Sequence, residues 1–136
     1  MRGLKTSLIT LFVAIVIIGA GLLAVMLSSR YLDQQFANEH DGCYPNQPNH
    51  TVIIQNDKAT PDHIDAPKCD TLTITNLDNE ERIIAFGPHE DHVAYDGIKE
   101  KSVSQNESVV VTLVQTGSFR FHDHIHDEVE GTFTVH

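Results

Sequence analysis

Several residue types are scarce in this chain of 136 residues. It contains no tryptophan and two cysteines, and its nine lysines and arginines face nineteen aspartates and glutamates. Beyond residue 30, only six basic side chains oppose all nineteen carboxylates. A nucleic-acid-binding protein needs a basic face for phosphates, so this shortage of positive charge argues against any nucleic-acid partner. The length allows one ordinary domain.

The chain also lacks the motifs of the commoner catalytic centres. It has no G-x-S-x-G, no phosphate-binding loop and no H-E-x-x-H. What it has instead is nine histidines, all beyond residue 30 and in a strongly acidic setting. Such a domain repels anions and concentrates cations around itself. The composition therefore indicates a cation-attracting domain and identifies no catalytic residue.

One long hydrophobic run lies near the N-terminus. Leu8–Leu27 is twenty residues without a charge, enough to cross ~30 Å of hydrocarbon as a helix. Arg2 and Lys5 precede it, so the positive-inside rule predicts a cytoplasmic N-terminus and an extracytoplasmic C-terminal domain. The alternative is a cleaved signal peptide, but its apolar core is usually about 7–15 residues long. We predict that residues 1–30 are a retained single-pass signal anchor.

The segment after the anchor is predicted to be a short stalk. Residues 31–49 are polar, and Pro45 and Pro48 discourage regular structure near their end. Thiols tend to pair in an oxidising compartment, so Cys43 and Cys69 are expected to form a disulfide. The bridge would close a loop of roughly 26 residues. The alternative is two unpaired thiols. The spacing matches no zinc or redox motif, so neither cysteine is assigned to a metal.

Residues 50–136 alternate between apolar and polar side chains with period two. Leu72 and Ile74 share one face of a predicted strand, and Val109 and Val111 share one face of another. Turn signals separate about seven such segments. The pattern predicts an all-β fold, an antiparallel sandwich preceded by one transmembrane helix.

Three segments of this domain have a distinctive order and spacing. They are Thr71–Asp78, Asn106–Ser108 with the valine-rich strand that follows, and Gly117–Val135. The last matches the spacing of the signature G-x-aromatic-x-aromatic-x-Cys-x-x-His-x-x-Met-x-G without a gap, although other residues stand at its Cys and Met positions. Together the segments resemble the cupredoxins, the Greek-key sandwich family of the small blue-copper proteins. The resemblance implies that residues 50–136 form a cupredoxin-like domain.

The resemblance also shows which copper ligands are missing. The thiolate position holds Asp123, the axial methionine is Val129, and the first histidine falls on Arg82, so only His126 is retained. A blue site requires a cysteine thiolate beside two imidazoles. We therefore predict no blue copper centre. Arg82 could instead form a buried ion pair with Asp123 and seal the vacated site.

Other ligands are concentrated at the same end of the domain. On a strand, His122 and His124 would point outward and Asp123 inward, and a turn after Asp123 would return His126 to its inherited place. A second pair, His89 and His92, follows a strand end and would lie on one side of a single turn. The predicted metal ligands are His89, His92, His124 and His126, with His122 and Asp123 as additional candidates.

These ligands suit a divalent transition metal. Three or four imidazoles favour Cu(II) first and Zn(II) second. We therefore predict an exported, membrane-anchored metal-binding protein that serves in metal handling, and we leave open whether it has catalytic activity. One alternative is a small redox enzyme or electron-transfer protein with a non-blue copper site. The other is a metal-free envelope interaction module, in which the histidines form surface ion pairs.

Overall fold

This computed structural model describes residues 2–136, with side chains from residue 11 onward. In the described chain, a long helix precedes nine strands. Helix α1 spans Arg2–Glu39. The strands are β1 Asn49–Ile54, β2 Ala59–Thr60, β3 His63–Ala66, β4 Thr71–Asn76, β5 Arg82–Phe86, β6 Glu100–Val103, β7 Ser108–Thr112, β8 Gly117–Asp123 and β9 Glu130–Val135.

The strands form two sheets that enclose one core. Their orders are β2-β1-β4-β7 and β3-β9-β8-β5-β6. The predicted β-sandwich is confirmed, but the expectation of purely antiparallel sheets is wrong. Strands β1 and β4 pair in parallel, and so do β3 and β9. Parallel neighbours need a crossover connection, and the chain between β1 and β4 supplies one by contributing β3 to the other sheet.

The period-two pattern places one face of each sheet in the core. On β4, Leu72 and Ile74 are buried, while the threonines beside them are partly exposed. Phe121 on β8 and Phe133 on β9 pack into the same cluster from the other sheet. Burying a side chain of this size contributes about 1.5–3 kcal/mol. The inward positions therefore stabilise the sandwich, and the outward positions remain available for other chemistry.

Helix α1 continues through the first part of the expected stalk. Residues 31–39 are helical because they contain no proline or glycine, so nothing interrupts the hydrogen-bond ladder. The helix ends at Glu39, and the chain then turns at Asp41 and Gly42, whose φ angles are 51° and 85°. The Gly42 amide donates to the Ala37 carbonyl at 2.7 Å, which satisfies an end of the helix. The irregular part of the connection is thus only the short segment before β1.

Several contacts fasten the end of helix α1 to the sandwich, among them a disulfide and a histidine–aspartate pair. Cys43 and Cys69 form a disulfide across a sequence separation of 26 residues. His40 Nδ1 lies 2.8 Å from Asp96 Oδ1, which belongs to the loop between β5 and β6. Helix and sandwich are therefore joined by a covalent bond and by a polar contact.

One end of the sandwich is closed by a buried arginine. Arg82, only 1% exposed, begins β5 and contacts three carboxylates. Its guanidinium donates to Asp123 at 3.1 Å and to Asp78 at 2.8 Å, and it also contacts Asp57. The ion pair between Arg82 and Asp123 that the sequence suggested is confirmed. A buried charge with partners of opposite sign on several sides is held in place by them.

The carboxylate of Asp123 is ionised despite its burial. Burial by itself would raise the pKa of Asp123, but the amides of Ile125 and Ile83 and the guanidinium of Arg82 together hold it below its usual range. Both amides donate to Oδ1 at 3.2 Å. Asp123 therefore belongs to a buried network of ion pairs and hydrogen bonds.

The disulfide should stabilise the fold through the loop that it closes. Replacing both cysteines, Cys43→Ser with Cys69→Ser, is expected to lower the free energy of unfolding by about 3–4 kcal/mol. Denaturant unfolding of the full chain in detergent measures this. Reductant should lower the stability of the unaltered chain equally and leave the double variant unchanged. Identical stability of the unaltered chain with and without reductant would contradict the prediction.

Loss of the buried Arg82 guanidinium alone should lower the stability of the domain more than loss of both the Arg82 and the Asp123 charges. Arg82→Met leaves the buried Asp123 charge unpaired and is expected to lower the free energy of unfolding by about 3–5 kcal/mol. Adding Asp123→Asn should recover part of that loss, because it removes the unpaired charge and keeps an oxygen that accepts from the Ile83 and Ile125 amides. Arg120→Met is the control: this half-exposed arginine pairs with Glu130, and its loss should change stability by at most about 1 kcal/mol. A double variant as unstable as Arg82→Met alone would refute this account.

Candidate metal centre

Four histidines come together on the outer face of the five-stranded sheet. His122 on β8 and His124 just beyond it point away from the core, because alternate residues of this strand point inward. His89 and His92 come from the loop between β5 and β6. One ring nitrogen from each of the four lies within 4.8 Å of every other. We call this group the four-histidine cluster.

The rings are spaced as ligands of one ion would be. Nδ1 of His124 lies 3.2 Å from Nε2 of His92. Nitrogens at about 2.0–2.1 Å from a tetrahedral ion stand about 3.3 Å apart, so this pair already has the required separation. The ring of His89 stacks on that of His124 with centroids 5.2 Å apart. Only small movements would bring all four nitrogens onto a common ion.

The register of the sheet makes room for these rings. Ala85 of β5 is paired with His122 of β8 on one side and with Glu100 of β6 on the other. Residues directly opposite one another share a face of the sheet, so the three form one row. The middle residue of that row has only a methyl group and is fully buried. The small side chain of Ala85 therefore leaves the space that the loop histidines occupy.

The loop turns back over the sheet at Gly87. Its φ of 86° lies in the left-handed region, and a Cβ atom there would lie 2.8 Å from the backbone nitrogen of Val93. That nitrogen donates to the Phe86 carbonyl at 3.0 Å, which closes the turn. His89 and His92 lie in the loop between Gly87 and Val93. A glycine is thus required for the loop to present both rings.

His122 is the innermost member of the cluster. It is fully buried, and neither of its ring nitrogens has a hydrogen-bond partner. Buried polar atoms are normally paired, so an imidazole aimed at three others without a partner is typical of a ligand position. Burial, followed by the charge of Arg120 and by the neighbouring rings, lowers the pKa of His122. The ring is therefore neutral near pH 7, which is the form that coordinates metals.

The predicted ligands fall into two separate groups. The structure brings together His89, His92, His122 and His124. It does not bring His126 or Asp123 to them, because the alternation of β8 sends Asp123 to the inner side of the strand. His126 Nδ1 lies 3.3 Å from both Arg82 Nη1 and Asp123 Oδ2.

The inherited blue-copper position does not fit a copper ion. It offers the carboxylate of Asp123 in place of a thiolate and the side chain of Val129 in place of a thioether. The guanidinium of Arg82 is in contact with the retained His126, so a positive charge already lies among the ligand positions. No metal chemistry is assigned to this group.

Two residues next to the cluster were not identified from the sequence. Ala85 carries no chemical signal, and its importance follows only from the strand register. Glu100 Oε2 lies 3.3 Å from His92 Nδ1, although the two are eight positions apart and joined by an irregular loop. Only a correct pairing of β5 with β6 could have pointed to Glu100.

Comparisons with known proteins agree with the fold. A family model described as a cupredoxin-like domain matches residues 17–135. Similar solved structures include a reduced tryptophan-to-tyrosine variant of amicyanin, with a TM-score of 0.57 and 17% identity, covering 67% of this chain and 85% of that one. A Cu(I) form of a methionine-to-glutamine amicyanin variant has a TM-score of 0.54 and 16% identity, covering 65% of this chain and 82% of that one.

At 16–17% sequence identity, the similarity to amicyanin shows the fold alone. A search of curated proteins finds no significant match. The family model covers most of the chain and confirms the resemblance drawn from its three segments. This chain belongs to the cupredoxin-like domain family.

Proposed function

We propose that this chain is an exported, membrane-anchored metal-binding protein that serves in metal handling. The four-histidine cluster would hold one divalent transition-metal ion. The observation that carries the proposal is the convergence of four ring nitrogens within 4.8 Å around a buried imidazole that has no other partner. Imidazole suits both copper and zinc, and Cu(II) is our first choice because nitrogen sites generally bind it more tightly than Zn(II).

The ligand set favours binding over catalysis. Four protein imidazoles complete a four-coordinate site, whereas catalytic metal sites keep a position open for water or substrate. A small redox enzyme would need such an open position. A metal-free interaction module would leave the buried ring of His122 without any partner. A metal-handling protein would account for both the complete set of four ligands and the buried ring of His122 that has no other partner.

The burial of the ligands supports an ion that can be exchanged. His122 is buried beneath the loop, whereas His89 and His124 are exposed to solvent. An ion could therefore meet the outer rings first and then the inner one. The excess of carboxylates on the domain would raise the local concentration of cations. Both features suit uptake from the surroundings and release to a partner.

The anchoring part of the proposal is supported by helix α1. Its stretch Leu11–Glu39 contains a window of mean hydropathy 2.8, none of which is buried against the rest of the described chain. Large apolar side chains along Leu11–Leu27 are about half exposed or more. A bilayer would cover them. Arg2 and Lys5 favour a cytoplasmic N-terminus, with the sandwich on the other side.

Metal titration of single-histidine variants tests the proposed centre. The full chain in detergent should bind one Cu²⁺ or one Zn²⁺, measured separately by competition with a chelator. His122→Ala should weaken binding by more than the 10–100-fold typical of losing an outer-sphere partner, because a direct ligand is removed. His126→Ala and His63→Ala should bind as the unaltered chain does, since both residues lie outside the cluster.

Circular dichroism of each variant would show that the fold is retained. Failure of the unaltered chain to bind either ion more tightly than a scrambled histidine-rich peptide would refute the proposed function. Equal losses in His122→Ala and His126→Ala would refute the assignment of ligands.

A pair of glycine substitutions tests the role of the loop. Gly87→Ala should lower metal affinity at least about tenfold, because the added methyl would collide with the Val93 backbone and displace the loop. Gly97→Ala is the matched control: its φ of 76° imposes similar strain, but nothing lies within 4 Å of the added atom. Chelator competition on both variants measures the difference. Equal affinities would show that the turn at Gly87 does not position the ligands.

A further inference from the structure

We propose that Glu100 is a positioning residue of the four-histidine cluster. Its carboxylate would hold the ring of His92 in the tautomer that presents Nε2 to the ion. This inference rests on the proposed function, because it concerns how the same centre is organised.

The two nitrogens of His92 have polar neighbours on opposite sides of the ring. Nδ1 lies 3.3 Å from Glu100 Oε2, and Nε2 lies 3.2 Å from His124 Nδ1 within the cluster. The side chain of His92 is only 7% exposed, so the ring is enclosed by its neighbours. A neutral imidazole carries one proton, and a carboxylate beside Nδ1 favours the proton there. The lone pair of Nε2 is then directed at the ion.

Glu100 is placed by the sheet, whereas His92 is placed by a loop. Glu100 begins β6 and is paired with Ala85, which is in turn paired with His122. Strands are about 4.8 Å apart, so Glu100 and His122 stand about 10 Å apart across the sheet. The ring of His92 has both as neighbours: its Nδ1 lies 3.3 Å from Glu100 Oε2, and its centroid lies 5.2 Å from that of the His122 ring. A carboxylate on a strand thereby fixes a ligand that comes from a more variable segment.

Charge gives a second reason for a carboxylate at this position. Four neutral imidazoles bring no negative charge to a divalent ion. Glu130 is paired across the strands with His122, but its carboxylate is bound to Arg120 at 2.5 Å. Among the described ion pairs, Glu100 contacts His92 alone. Glu100 can therefore compensate part of the positive charge that the ion would induce on the ring of His92.

The test uses Zn²⁺, which is diamagnetic, with the full chain in detergent. Chelator competition gives the affinity, and nitrogen-15 NMR of the histidine rings gives the tautomer and the exchange of the Nδ1 proton with water. Glu100→Gln retains an acceptor without charge, and Glu100→Ala removes both. Glu81→Gln is the matched control, because this glutamate contacts Ser102 on the same face of β6 and no histidine of the cluster.

We expect Glu100→Ala to weaken Zn²⁺ binding about 10–100-fold, Glu100→Gln less, and Glu81→Gln hardly at all. The His92 Nδ1 proton should exchange slowly in the unaltered chain and rapidly in Glu100→Ala. Equal affinities in Glu100→Ala and Glu81→Gln would overturn the proposal. So would a loss of affinity that leaves the His92 signals unchanged, because the effect would then be long-range charge alone. If the unaltered chain binds no Zn²⁺ or Cu²⁺, the proposed function fails as well.

Discussion

The arrangement of the candidate metal centre depends on the buried guanidinium of Arg82. This guanidinium engages Asp123 and His126 at the end of the sandwich where the cupredoxins hold copper. Asp123 is one of three carboxylates that compensate this buried charge, so its release to an ion would leave the guanidinium less well compensated. The metal centre that we propose lies on the other side of the strand, where His122 and His124 project.

The two sides of β8 are chemically separate although they are one residue apart. On the inner side, Asp123 neutralises Arg82, which reduces the repulsion that a cation on the outer side would otherwise experience. On the outer side, the methyl group of Ala85 and the turn at Gly87 allow loop histidines to cover His122. The proposed centre thus depends on sheet register and on backbone conformation as much as on the ligands themselves.

The sequence was informative where local patterns decide the structure. Period-two alternation and the spacing of Gly117–Val135 predicted the sandwich and the inward direction of Asp123. The same reasoning gave His126 an inherited place, but it could not show that the bonds of Arg82 already use that residue. His122 was only an additional candidate, because local alternation gives the outward direction of its ring but not its burial by the loop after β5. Parallel pairings and the row through Ala85 depend on distant segments, which no local pattern encodes.

Helix α1 reaches the sandwich without an intervening flexible linker. From Arg30 to Glu39 it adds about 15 Å of rise, and the disulfide and the contact of His40 with Asp96 hold the sandwich to its end. These links restrict rotation of the sandwich about the helix axis. In a chain anchored as proposed, the four-histidine face would have a restricted range of orientations and heights above the membrane. Encounters with another protein of the same bilayer would then become a two-dimensional search with a restricted set of approach angles.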